Sequence, residues 1–394
     1  MSSLSPEQFR SRFPIFGHRI YVNSCSQGAL SIDVEAAMHE YTASWHEAGS
    51  PWELWVEKVE ELRTVFAASI GADRDEIAVM PSASGGINAV ASALDFHAGR
   101  SGVTMGEFEF PTMAQVWLAQ ERRGAVVQWA RAAGDRLDVD AYDAVVDERT
   151  LIVPATHVCF RNGHKTDIAA LTALCHSRGA YVFLDDYQRT GSGPIDVHAL
   201  GVDFMVTGCL KYLLAAAGVG FLYVRRDLIE RLEPTVTGWF GRINPFAFRI
   251  DAIDWSPTAS RFESGTPPVP SAYAALGGLS LLNRIGYDIV GSHVARLVER
   301  YRSAVEASGF VVRTPADPAR RGPLVVVESL DAPQMVSRLA ARGIVASCRG
   351  NGLRVSFHAY NNEEDVDAVV AALEAESALV VRHAASRRSS IASV

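Results

Sequence analysis

Residues 181–224 read YVFLDDYQRTGSGPIDVHALGVDFMVTGCLKYLLAAAGVGFLYV, two apolar strand-like runs that bracket Lys211. Lys58, Lys165 and Lys211 are the only lysines among 37 basic residues, so a lysine set inside VTGCLKYLLAAAGVGF asks for a reason. Either its stem is buried and its head group snorkels to water, or it is held in apolar surroundings that weaken its preference for charge. In the second case the free amine can condense with an aldehyde as a Schiff base. Upstream, YVFLDD has the β-branched and aromatic character of a buried strand and ends in carboxylates. In open α/β sheets ligands sit just beyond the carboxyl ends of strands. Asp185 is therefore expected to face a ligand, with Gln188 three residues on. An anionic acceptor beside an amide donor suits a pyridine ring: the carboxylate keeps the ring nitrogen protonated and the amide bonds a phenolic oxygen.

Working outward, residues 76–80 (EIAVM) predict a strand running into PSASGGINAVASAL, a small-residue turn that opens a helix. Unpaired N–H groups at a helix start attract phosphate, which makes Ala83 and Ser84 a candidate cradle; a plain strand-to-helix link has the same look. A second strand at 101–107 leads to FEFPTMAQVWL, where Phe110 either stacks on a ring or belongs to the core. A third, at 150–157, is followed by a loop whose polar candidates are Arg161 and Asn162, and His157 reads as a satisfied strand-end histidine. Near the N-terminus, Ser5 with Gln8 predicts a capping box and Pro14 a helix stop. The small residues of IYVNSCSQGALS suggest backbone lying close to something, or a tight turn. Residues 32–45 and 56–70 carry helical periodicity. Residues 225–268 are irregular and rich in aromatics, glycine and proline; from residue 272 a long helix leads into a second helix and a small α+β region.

Composition narrows the function. The 394 residues are 48% hydrophobic and 21% charged, enough for a sizeable core in two domains. A net charge of −8 and pI near 5.8 argue against nucleic acid or an anionic membrane as partner. The start MSSLSPEQFRSRF has no apolar signal core and no run reaches membrane-spanning length. The five cysteines show neither CxxC nor zinc-finger spacing, which suits a reduced cytoplasmic protein without a structural metal.

Together the motifs resemble the class V aminotransferase family of fold-type I pyridoxal-phosphate (PLP) enzymes, which includes cysteine desulfurases, kynureninases, epimerase-like proteins and C–S lyases. The resemblance rests on Asp185-Asp186-Tyr187-Gln188, Gly201-Val202-Asp203-Phe204, Leu210-Lys211-Tyr212-Leu213, Gly218-Val219-Gly220-Phe221, Arg261-Phe262-Glu263-Ser264-Gly265-Thr266-Pro267 and GLRVSFHAYNNEEDVD, in family order. It implies an α/β fold: an N-terminal segment (1–20), a large domain with a mainly parallel seven-stranded sheet (21–280), a small C-terminal α+β domain (281–380) and a flexible tail (381–394). It also implies that Lys211 carries PLP and shuttles protons, Asp185 meets the ring nitrogen, Gln188 the phenolic oxygen and Phe110 the ring face. Ala83 and Ser84 hold the phosphate, and Thr266 reaches the phosphate of a neighbouring protomer, hence a homodimer with composite sites. Arg354 would take the carboxylate of a small amino-acid substrate, with Ser26 and Asn162 beside it.

Departures from the family pattern bear on the reaction. Kynureninases carry aspartate where Met113 stands, and a tyrosine, or in desulfurases an asparagine, replaces Phe160. Leu210 occupies a position that is often polar, leaving Thr207 or Cys209 to supply that contact. Cys348 lies six residues before Arg354 and reads as structural rather than as a mobile sulfur carrier. The expected activity is β-elimination from a cysteine S-conjugate by a C–S lyase. Epimerisation, transamination and desulfuration stand as alternatives, and a non-catalytic ligand-binding scaffold as a reading from another class.

Overall fold

The computed structural model describes residues 4–383. Its strands in chain order are β1 (Ile20–Tyr21), β2 (Ile77–Met80), β3 (Gly102–Gly106), β4 (Val126–Ala130), β5 (Thr150–Thr156), β6 (Tyr181–Asp185), β7 (Phe204–Gly208), β8 (Gly220–Val224), β9 (Leu324–Glu328), β10 (Ile344–Val345), β11 (Ser347–Arg349) and β12 (Gly352–Ser356). Seven of them form the central sheet, in the order β2-β8-β7-β6-β5-β3-β4. Only β8 runs against its neighbours; the remaining pairs are parallel. The interior strands are continuous apolar runs because helices cover both faces, and the edge strand β4 keeps Val126 exposed. The fold is thus α/β, and the parallel strands β5 and β6 end side by side, which is where such sheets leave a crevice.

A second, three-stranded antiparallel sheet (β11-β12-β9) is built from the C-terminal part, with the helices Tyr287–Ala307, Ala332–Ala341 and Glu363–Ala375 around it. Residues 344–349 carry two short strands with different partners. Ile344 and Val345 pair in parallel with Ile20 and Tyr21, whereas Ser347 to Arg349 turn to pair with β12. The N-terminal residues therefore belong structurally with the C-terminal part. Phe13 packs edge-on against Tyr360 at 4.8 Å, and Arg10 pairs with Asp365 at 2.7 Å. Ser5 and Gln8 form the expected capping box. The first helix ends at Arg10, however, and Pro14 opens a 3-10 turn, where a residue lacking an N–H is best tolerated. The boundary drawn at 280/281 falls inside the helix Val269–Ile285; the chain first breaks at Gly286, whose φ of +87° suits glycine. Of the tail expected to be frayed, residues 384–394 lie outside the described residues, while the Val381 N–H donates to the Glu328 carbonyl. No helix among the described residues is long and apolar enough to cross a membrane.

The irregular stretch after β8 is anchored by one buried ion pair. Arg63 meets Glu263 at 2.6 Å, and the same carboxylate oxygen accepts the Val79 N–H at 2.8 Å, tying the 261–267 motif to β2. Removing Glu263 leaves the buried Arg63 with only the partly exposed Glu60, 2.8 Å away, to balance it, and takes the acceptor from the Val79 N–H. Glu263→Ala is expected to lower the unfolding free energy by about 3–5 kcal/mol, read as a fall in the urea midpoint; an unchanged midpoint would mean that the pair is not what anchors the segment.

Candidate active site

A cavity of about 370 Å³ opens at the ends of β5 and β6. Lys211, Asp185, Gln188, Phe110, Ala83, Ser84, Ser26 and Arg354 all line it. A larger groove of about 690 Å³ lies among the helices Ile32–Ala48, Trp52–Ser69 and Val269–Ile285, but its lysine, Lys58, is already paired with Glu40 and Glu61 and no strand end reaches it. The chemistry is in the smaller one.

Lys211 sits on the turn after β7. Its Nζ lies 4.3 Å from the centre of the Tyr187 ring and 5.8 Å from that of Phe110. Burial is the main cause that pushes its ammonium down to about 8, Arg354 and Arg349 push the same way, and Asp185 opposes them. The turn is narrow. A Cβ on Gly28 would meet the Lys211 carbonyl at 2.4 Å, and one on Gly208 would meet the Tyr187 hydroxyl at 2.1 Å, so both close approaches require glycine.

Asp185 ends β6 with one oxygen accepting the Tyr187 N–H at 3.0 Å. Burial raises its pKa, and the Tyr187 bond and Lys211 offset only part of that rise. Gln188 donates to the Cys25 carbonyl at 3.0 Å and leaves its buried Oε1 without a partner. Phe110 is 40% exposed, so it belongs to the cavity mouth rather than the core, and it meets Phe160 edge-on at 5.1 Å. The helix Ala83–Ala93 starts at the rim: Ser82 caps it by accepting the Gly85 N–H, and the Ser84 and Thr112 hydroxyls bond at 2.8 Å. The first N–H groups of such a helix have no partner within it.

Arg354, on β12, is buried opposite. It donates to the Phe160 carbonyl at 3.0 Å, the Ser26 hydroxyl at 2.8 Å and the Ser347 hydroxyl at 3.0 Å. Its Nε has no partner, and no carboxylate neutralises it among the described residues. A buried, uncompensated guanidinium is costly unless a ligand supplies the charge.

Some sequence expectations fall elsewhere. Asn162 does not line the cavity. Its amide donates to the Asp135 carbonyl at 2.9 Å and its oxygen accepts the His164 N–H, so both ends are used in tying down the loop. Thr207 and Cys209 are fully buried away from the cavity, and Leu210 itself lines it. Thr266 is exposed and outside its own chain's cavity. His157, by contrast, is the satisfied strand-end histidine expected, held by Asp186 at 2.5 Å and outside the cavity. Cys348 does not line the cavity either, whereas Cys25 does. Sequence reasoning also passed over Thr112, Thr156, Tyr187 and Arg349. Thr112 was visible in the Phe-Pro-Thr motif and Thr156 in its strand-end position; nothing distinguished Cys25.

These residues fit PLP. The cavity offers an amine in partly neutral form, a buried carboxyl lacking a fixed cation of its own, an aromatic face, an open helix start and an unneutralised arginine. The aminotransferase class-V family model matches residues 32–369. An uncharacterised aminotransferase of Bacillus subtilis, YcbU, is 33% identical over 361 residues, covering 92% of this chain and 95% of the relative. The kynureninase of Deinococcus radiodurans is 28% identical, covering 93% and 92%. Among solved structures, an apo cysteine desulfurase of Thermococcus onnurineus superposes with a TM-score of 0.85 at 22% identity, covering 95% of this chain and 99% of that one. The cystine C–S lyase C-DES superposes with a TM-score of 0.83 at 22% identity, covering 92% and 99%. Those likenesses speak for the fold, and the family model with the Bacillus relative speaks for descent: this chain belongs to the aminotransferase class-V family and is a pyridoxal-phosphate-dependent enzyme of fold-type I.

Proposed function

We propose that the chain cleaves the Cβ–Sγ bond of a cysteine S-conjugate by β-elimination. The observation that carries the substrate class is the pairing of Lys211 with Arg354 across one cavity: a partly neutral amine on one wall and a guanidinium awaiting a carboxylate on the other. Bound PLP supplies an electron sink for the electrons left on the substrate's α-carbon. Lys211 is the attachment point and then the base: its Nζ takes the α-proton and passes it toward the leaving sulfur. Asp185 would hold the ring nitrogen, Gln188 the phenolic oxygen and Phe110 the ring, while Ala83 and Ser84 would hold the phosphate. Arg354 and Ser26 hold the α-carboxylate; the guanidinium fork matches it bidentately.

The choice of elimination rests on the cysteines. Cys348 is held in a strand pair with Leu353, outside the cavity. Cys25 lines the cavity, but its side chain is packed with Val158, Tyr212, Leu324 and Val326. Neither is set on a mobile arm that could carry sulfur away, so the thiol leaves as such.

A second copy of the chain is the natural cover for the exposed Trp239, Phe246, Phe248, Ile250 and Ile253, and would bring Thr266 to a neighbouring phosphate. All five cysteines are free, as suits the cytoplasm.

The cofactor-free protein should take up PLP with a rate that rises with pH through about 8, because the amine reacts only after losing its proton and burial has brought that loss down from 10.5. Borohydride reduction should then label Lys211; a label on Lys58 or Lys165 refutes the assignment. Arg354→Ala should keep the absorbance of bound PLP while weakening amino-acid binding roughly a hundredfold, the loss of a charge-assisted contact. Arg354→Lys should restore only part of it; loss of folding would instead point to a structural role. Turnover of a cysteine S-conjugate should release thiol, pyruvate and ammonia together, undiminished in Cys25→Ser and Cys348→Ala. Recovery of racemised amino acid or of pyridoxamine phosphate would reassign the enzyme to epimerisation or transamination.

A further inference from the structure

Glu109 stands behind the cavity floor. It precedes Phe110 in the loop after β3 and is buried, yet no cation pairs with it among the described residues. Both of its oxygens address one residue: Oε1 accepts the Thr156 N–H at 3.0 Å, and Oε2 meets the Thr156 hydroxyl at 2.8 Å. Thr156 ends β5 in register with Asp185 at the end of β6, and paired positions on adjacent strands point to the same face. Thr156 and Asp185 both line the cavity. Thr156 therefore touches the hidden acid and shares one face of the sheet, and the cavity lining, with the acid on the floor.

The surroundings keep that hidden acid neutral. Burial is the main cause that pushes Glu109 up to about 8, the nearby Asp185 charge adds to it, and the Thr156 bonds pull the other way. From the helix Val139–Asp143 comes the Tyr142 phenol, fully buried, unpartnered and itself pushed upward, with the Cys159 and Cys175 thiols near it. None of these carries positive charge at neutral pH, and Lys211, which lines the cavity, acts on Asp185.

We propose that Glu109 is a positioning residue whose carboxyl keeps its proton in the working enzyme and donates it to Thr156 Oγ1, leaving the hydrogen of that hydroxyl to point at the cavity floor beside Asp185. A threonine hydroxyl can accept one hydrogen bond while donating another, so both bonds form together. Once ionised, Glu109 takes that hydrogen for itself and sets a second negative charge behind Asp185. The inference deepens the reading of Asp185 as the partner of the cofactor ring and rests on it.

Glu109→Gln tests it, because the amide donates to Thr156 Oγ1 and accepts from the Thr156 N–H as the neutral acid does. Infrared difference spectra of the full-length protein, with and without PLP, should show a protonated-carboxyl band that vanishes as pH rises through about 8. The band should be missing from Glu109→Gln and should survive in Lys211→Ala, so an error in the lysine assignment leaves this result readable. In PLP-loaded protein, the visible spectrum of the bound cofactor should respond to pH over the same range. That response should disappear in Glu109→Gln, shrink in Thr156→Val, where only the charge of the acid still acts, and return to full size in Thr156→Ser. If Glu109→Gln does not fold, Thr156→Val decides, since it leaves the acid in place and removes only the hydroxyl. A wild type without the band at neutral pH overturns the proposal, as does a Thr156→Val protein whose spectrum responds to pH as the wild type does.

Discussion

Keeping a lysine amine in a dry cleft is the constraint around which this chain is built. An ammonium resists desolvation, and the fold meets that resistance with geometry rather than with a close ion pair. The turn that presents Lys211 is closed by bonds from the Leu214 N–H to the Lys211 carbonyl and from the Ala215 N–H to the Cys209 carbonyl. Leu214 adopts a φ of 60°, a left-handed conformation that costs a residue with a side chain about 1–2 kcal/mol. The Gly28 N–H donates to the Leu210 carbonyl at 2.7 Å from a distant part of the chain. Strain at one residue is thus held in place by contacts on both sides of the turn.

The cavity has two ends with different owners. The end where we place the cofactor is made by strand termini of the central sheet and by the start of the helix Ala83–Ala93. The end where we place the substrate is made by the N-terminal loop and β12, joined by the bond from the Cys25 N–H to Ser356 Oγ and by Arg354 reaching Ser26. The bond from Arg354 to the Phe160 carbonyl is one strut between the two ends. A displacement of the C-terminal part against the sheet would therefore move the carboxylate anchor relative to the amine while leaving each end intact.

Much of the cavity's lining was legible in the sequence where a residue's position follows from its place on an element. Asp185 could be read because a carboxylate at the end of an apolar strand has little else to do, and Lys211 because it is a rare residue in an apolar run. Ala83 and Ser84 could be read from the helix start. Asn162 was misplaced because a loop amide can turn to either side, and the Asp135 carbonyl, distant in sequence, decided which. Thr207 was misplaced because it lies within β7 and is fully buried there, and Cys209 because side-chain direction cannot be counted through the tight turn that follows the strand. Glu109 and Thr156 went unremarked because what joins them is a contact between the loop after β3 and the end of β5, and nothing local to either residue announces it. The pairing of residues 344–349 with two different partners was hidden for the same reason: one of those partners is the N-terminal segment.

That partner choice sets the order of assembly. Tyr21 and its neighbours cannot find Val345, nor Arg10 find Asp365, until more than three hundred further residues have left the ribosome. At 5–20 residues per second this is a wait on the order of tens of seconds. Throughout it Phe9 and Phe13, buried in the finished protein, have no permanent place to pack. The central sheet can condense during synthesis, whereas the substrate end of the cavity is a post-synthetic structure. Until then Phe9 and Phe13 leave an aromatic segment uncovered, of the kind whose exposure makes chaperones necessary.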